Sequence, residues 1–107
     1  MITFLWHESS IPAASYCDPV ASCDKCGERI ENAESAVVLR KRRDDESTFG
    51  EVAFLHKGKC DETYRHENQA ERYDELSNLL FRLCRNVGMG PKELGDAAEQ
   101  VAILERL

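Results

Sequence analysis

The sequence predicts a small α+β domain, and three observations carry that prediction. Two runs rich in β-branched and aromatic residues, 36–42 and 49–56, flank a polar stretch. Beyond Cys60 the apolar residues return at helical intervals. Two close pairs of metal-ligand residue types, Cys23 with Cys26 and His56 with Cys60, bracket the strand-like runs. The predicted order is a metal knuckle, an antiparallel β-hairpin, a long helix and a second, C-terminal helix. A chain of 107 residues suits one domain. We divide it into an irregular lead-in (1–22), a metal-stapled hairpin (23–66) and a helical pair (67–107).

The first element is a short strand over Ile2–Trp6. The next segment, 7–22, is rich in Ser, Ala and Pro. Pro12 and Pro19 fix φ and remove backbone donors there, which predicts irregular structure. The hairpin strands follow the CxxC pair: Ala36–Arg42, then Phe49–His56. Arg43–Thr48 is a polar turn between them. Period-two alternation puts Val52, Phe54 and His56 on one face, with His56 ending an apolar stripe.

After Cys60 the pattern turns helical. Tyr73, Leu76, Leu80, Leu83 and Val87 form a stripe at intervals of three and four, with Leu79 and Cys84 beside it. Acids (Glu67, Glu71, Asp74, Glu75) come early and Arg82 and Arg85 late, which suits the helix dipole. One helix of more than twenty residues is expected, with Cys84 as a buried thiol. Gly88-Met89-Gly90-Pro91 stops it, and Pro91 opens the last helix in a first-turn position. Leu94, Ala97, Ala98, Val101 and Leu104 share one face of that helix, which Gly95 weakens by up to about 1 kcal/mol.

Five cysteines fit poorly with a closed disulfide framework. The first eight residues lack a basic n-region, and their apolar run is too short for a signal peptide. No run approaches the roughly 20 apolar residues of a membrane span. We expect a cytoplasmic protein. Its CxxC pair then reads as metal chemistry. A redox role would want that pair at a helix N-terminus after a buried strand. Cys23, Cys26, His56 and Cys60 make a Cys₃His set of the kind that closes a tetrahedral zinc site. Gly27 lets the backbone fold under the sulfurs. The 29 residues between Cys26 and His56 are enough for a hairpin that returns to its start. Cys60 falls near a helix N-terminus, which favours a thiolate. Cys17 and His66 lie six residues outside the pairs and stand as alternative ligands.

The order of knuckle, hairpin and helix with a late ligand resembles the treble-clef zinc fingers. The long Cys-to-His gap is similar to that of the poly(ADP-ribose) polymerase type and, more distantly, of LIM modules. The resemblance spans residues 23 to about 75. It implies zinc at Cys23, Cys26, His56 and Cys60. Those families place two residues between the His and the last Cys; this chain has three, Lys57, Gly58 and Lys59.

Four protein ligands leave no position for water, so a single structural Zn²⁺ is expected rather than a catalytic one. Asp44-Asp45-Glu46 reads as a solvated turn and His7 as a surface residue. The net charge of −6 divides as −2 over residues 1–60 and −4 over 61–107. That field opposes phosphate approach. The one basic concentration is Arg40–Arg43 with Lys57 and Lys59, at what should be opposite ends of the hairpin. A helix-turn-helix reader at 88–107 lacks donors, having Lys92, Gln100 and Arg106 against four acids. The first reading is therefore a small non-catalytic zinc-binding interaction or adaptor module. A protein partner, or self-association through the C-terminal helices, is its expected mode. The alternatives are a nucleic-acid-binding regulator using Arg40–Arg43 and a small metal-dependent enzyme such as a treble-clef nuclease.

Overall fold

The computed structural model describes residues 1–11, 15–41 and 52–106. The predicted turn Arg43–Thr48, the strand ends Arg42 and 49–51, and Pro12 lie outside the described residues. Among the described residues the architecture is α+β, with two antiparallel sheets and three α-helices, the last at the C-terminus.

Strand β1 (Ile2–His7) pairs with β2 (Tyr16–Ala21) as a separate two-stranded sheet, from Ile2 opposite Ala21 to His7 opposite Tyr16. The irregular lead-in expected over 7–22 is thus partly a strand. Pro19 is accommodated because each strand of a two-stranded ladder bonds through one edge only, where a missing donor on the other edge costs no ladder bond. The second sheet has the order β4-β3-β5, built from β3 (Ala36–Lys41), β4 (Val52–His56) and β5 (Ala70–Glu75). The hairpin β3–β4 is antiparallel, with Ala36 opposite His56 and Arg40 opposite Val52.

The central strand explains the core. Val37, Val38 and Leu39 are all fully buried, so β3 is covered on both faces and reads as a continuous apolar run rather than an alternation. Helices α1 (Lys59–Asn68) and α2 (Leu76–Asn86) both pack against it. Cys23, Ile30, Ala53, Leu55, Ala70 and Leu76 complete the buried cluster. On β4 the inward face is Ala53 and Leu55. The face carrying Val52, Phe54 and His56 is the more exposed one, so the stripe predicted to end at His56 lines the rim of the core.

The single long helix predicted after Cys60 is instead α1, β5 and α2. Gln69 caps α1 in the left-handed conformation (φ 50°), and the chain leaves as a strand. The reason is tertiary. A fully buried β3 needs backbone partners on both edges, and β4 supplies only one. β5 supplies the other, from Val37 opposite Glu75 to Lys41 opposite Ala70, with a bulge between Val38 and Leu39. Tyr73 therefore sits on a strand, outside the helical stripe. On α2 the stripe holds: Leu76 is buried and Leu79 packs on the core, whereas Leu80, Leu83 and Val87 extend past it into solvent. Cys84 is half-buried rather than buried.

Helix α3 (Pro91–Glu105) opens at Pro91 as predicted, and the Glu93 carboxylate accepts from the Gly90 N–H at 3.0 Å. None of its described residues is buried. On β2, burial and then the charges of Glu105 and Asp18 push the Tyr16 hydroxyl pKa up. With most of the β1–β2 sheet and all of α3 outside the core, the molecule measures 48 × 29 × 24 Å and has a radius of gyration of 16.5 Å. A compact chain of this length would have about 13 Å. Among the described residues no helix is long and apolar enough to cross a membrane.

Candidate metal centre

The cluster is assembled from three places in the fold. Cys23 and Cys26 come from the turn after β2. Its backbone closes on itself through Cys23 N–H to Glu28 carbonyl (2.9 Å) and Gly27 N–H to Cys23 carbonyl (2.9 Å). Gly27 has φ +78°, a left-handed conformation that a side chain would strain. This knuckle is tied to the edge of β4. The Asp24 N–H donates to the Phe54 carbonyl at 2.7 Å, and the Phe54 N–H donates to the Asp24 carboxylate at 2.8 Å. Lys25 reaches across to Glu67 near the end of α1, at 2.8–2.9 Å.

His56 ends β4, and Cys60 sits in the first turn of α1. Between them Gly58 turns the chain at φ +100°, and its N–H donates to the Asp61 carboxylate at 2.6 Å. Asp61 is buried and also takes Arg65 at 3.2 Å, which anchors the start of the helix that carries Cys60. Asp24 and Asp61 were not singled out from the sequence, although Asp61 three residues after Gly58 is a helix-start spacing.

One ligand atom from each of Cys23, Cys26, His56 and Cys60 lies within 4.8 Å of the others, and the four can hold a metal ion. Among the described residues this is the one such group. The imidazole is pre-oriented. Its Nε2 lies 3.3 Å from the Arg29 carbonyl, which can only accept, so Nε2 carries the proton. In that neutral tautomer Nδ1 carries the lone pair, 3.4 Å from the Cys26 sulfur and facing the cluster. Cys23 is buried, His56 and Cys60 are half-buried, and Cys26 lies at the exposed rim.

The thiols are electrostatically unequal. Burial pushes the Cys23 thiol up. N–H groups of Cys26, His56 and Lys25, with the Cys26 thiol, outweigh it and hold the pKa at about 6. Burial, then the neighbouring sulfurs of Cys23 and Cys26, push Cys60 up to about 11. Three sulfurs this close repel as thiolates unless a cation lies between them.

The other predicted residues fall elsewhere. Cys17 is exposed on β2 opposite Trp6, and His66 is exposed on α1; neither belongs to the four-residue group. His7 is exposed, stacked on Tyr16 (4.9 Å between centroids) with Nε2 3.6 Å from Asp18. The basic residues separate: Arg40 lies at the far end of β3 against Glu71 (3.4 Å), and Lys57 beside the cluster against Glu75 (2.5 Å). Arg42, Arg43 and Asp44–Glu46 lie outside the described residues. In comparison with known proteins, no family model, no curated protein and no solved structure matches this chain.

Proposed function

We propose that Cys23, Cys26, His56 and Cys60 hold one structural Zn²⁺, and that the protein is a non-catalytic interaction module built on that staple. The convergence of the four ligand atoms within 4.8 Å supports the reading. Three soft thiolates and one imidazole suit zinc, and four protein donors leave no coordination position for water or substrate. The ion would join the knuckle, the end of β4 and the start of α1. That order of elements supports the treble-clef resemblance, with β5 as an addition to it. Thiolate ligation fits a reducing, cytoplasmic setting.

The interaction role is supported by the β1–β2 hairpin. Its register puts Ile2, Phe4 and Trp6 on one face, opposite Ala21, Pro19 and Cys17. That face is entirely apolar, with Ile2 50%, Phe4 65% and Trp6 59% exposed. Aromatic anchors on a two-stranded platform are what a partner protein's apolar surface would cover.

Metal analysis should find one equivalent of zinc. Capture of a partner by the zinc-loaded chain should be lost in a Phe4→Ser, Trp6→Ser variant that keeps its zinc. A metal-free protein with an unchanged melting curve would remove the zinc assignment. A tight, salt-sensitive complex with nucleic acid, unaffected by the hairpin variant, would replace the interaction role with the nucleic-acid alternative.

A further inference from the structure

The three sulfur donors of the candidate metal centre differ in how solvent reaches them. Cys23 is buried and Cys60 half-buried; Cys26 alone is exposed, at the rim. One ligand atom of each lies within 4.8 Å of the others, so a solute that meets the Cys26 sulfur has the next sulfur close behind it. The pairing that follows is set by the chain. Cys23 and Cys26 share one turn, closed by the Gly27 N–H on the Cys23 carbonyl at 2.9 Å. Residues three apart across a turn lie within about 7 Å at Cα, a separation a disulfide can span. Asp24, between them, fixes the turn to β4 at Phe54 through its N–H and its carboxylate. Cys60 belongs to α1 and meets the other two only through tertiary structure. When the domain opens, Cys23 and Cys26 remain neighbours and Cys60 does not.

We infer that Cys23 and Cys26 form a reversible thiol–disulfide switch on the zinc site, in which a peroxide oxidises the exposed sulfur and so ejects the ion. The inference rests on the zinc assignment above and adds its regulation. The switch is stoichiometric, one disulfide for one ion. The pair lies in a turn after β2 rather than at a helix N-terminus, so a dithiol catalyst is not implied.

The Cys26 thiolate attacks one oxygen of hydrogen peroxide. The S–O bond forms, the O–O bond breaks, and the hydroxide released takes a proton from solvent to become water. The Cys23 thiolate then attacks the Cys26 sulfur. The S–S bond forms, the S–O bond breaks, and a second hydroxide leaves and is protonated. Two thiolates, one peroxide and two protons give one disulfide and two waters. The sulfurs lose two electrons, the peroxide oxygens gain them, and Zn²⁺ keeps its charge. His56 and Cys60 are then the only donors left, too few for a tetrahedral site. The ion leaves, and the knuckle, the end of β4 and the start of α1 lose their common tie. Reduction by a dithiol regenerates the pair and lets zinc return.

The test treats the zinc-loaded full chain with hydrogen peroxide while a zinc-sensitive dye reads the released ion. Loss of the bound zinc is expected, with loss of hydrogen-exchange protection at Val37–Leu39. Dithiothreitol and added zinc should restore both. A Cys17→Ser, Cys84→Ser chain, which keeps only the three cluster thiols, should release zinc at the same rate. Trypsin cuts that chain after Lys25, between the two cysteines, so the disulfide should hold two peptides together until it is reduced. A chain that loads zinc and keeps it while Cys17 and Cys84 are oxidised overturns the switch and leaves the zinc site standing. A disulfide that contains Cys60, or a release that dithiothreitol does not reverse, overturns it equally. A chain that carries no zinc before peroxide is added fails at the zinc assignment itself, and the switch falls with it.

Discussion

Around the ligand cluster, Cys23, Val37, Val38, Leu39 and Leu55 are each less than 2% exposed. From Leu80 to the end of α3, no described residue is buried. The two regions are similar in apolar content but differ in what covers it. β3 is flanked by strands on both edges and packed by α1 and α2, and the candidate ligands sit where the knuckle after β2, the end of β4 and the start of α1 meet. α3 has a comparable apolar stripe and little from its own chain to lie on it. An amphipathic stripe thus marks a surface to be covered, whether by the same chain or by another. The core end should respond to substitution and metal removal through stability, and the stability of the chain should respond little to substitution at the helical end.

The largest contrast should come from removing the proposed zinc. Structural zinc contributes on the order of 10 kcal/mol in small fingers, comparable to the whole stability of a small domain. Chelation, or Cys60→Ser, should therefore unfold the knuckle, β3, β4 and α1. Loss of hydrogen-exchange protection at Val37–Leu39 would record it. Retained protection there would show that the core does not depend on the ion.

Acid should reach the same end gradually. The metal-loaded cluster needs unprotonated sulfurs, whereas the metal-free cluster keeps a proton on Cys60 up to about pH 11 and on Cys23 only below about pH 6. The metal-free form binds more protons, so metal affinity rises with pH through that window and falls as acid is added. Calorimetry in buffers of different ionisation enthalpy should show proton release on zinc binding at pH 7. Metal uptake without proton release would mean that Cys60 is not a ligand.

A matched pair of truncations sharpens the comparison. Leu55→Ala, at a fully buried site, should cost about 2–5 kcal/mol by cavity formation. Leu104→Ala, on exposed α3, should change monomer stability by no more than about 0.5 kcal/mol. Urea melts at low protein concentration compare them directly, and equal costs would place α3 in the cooperative core.

An effect smaller than that of Leu55→Ala is expected at the knuckle. A Cβ at Gly27 meets no atom within 4 Å, so Gly27→Ala carries only the strain of a left-handed φ, about 1–2 kcal/mol. A modest drop in melting temperature with full zinc content is expected. Loss of zinc would mean that the turn must be left-handed to present both sulfurs.

The four residues of the candidate metal cluster, the β3–β4 pairing and the Pro91 helix start were readable from residue type and spacing. Each rests on local chemistry: thiol and imidazole donors in close pairs, β-branched runs around a polar turn, a fixed φ at the first helical position. Two strands were not readable in that way. β2 contains Pro19 within a Ser- and Pro-rich stretch, and its pairing exists because β1 is present to take one edge. β5 spans Ala70–Glu75, six residues inside a helix-like pattern, and it is extended because β3 is buried and needs hydrogen bonds on a second edge. Spacing alone also left Cys17 and His66 open as ligands. The knuckle's bonds to β4 and the Asp61 anchor of α1 bring Cys23, Cys26, His56 and Cys60 together and leave those two outside. Donor chemistry belongs to single residues and survives any fold. Which backbone edge must be paired, and which apolar face stays uncovered, depends on neighbours distant in the chain.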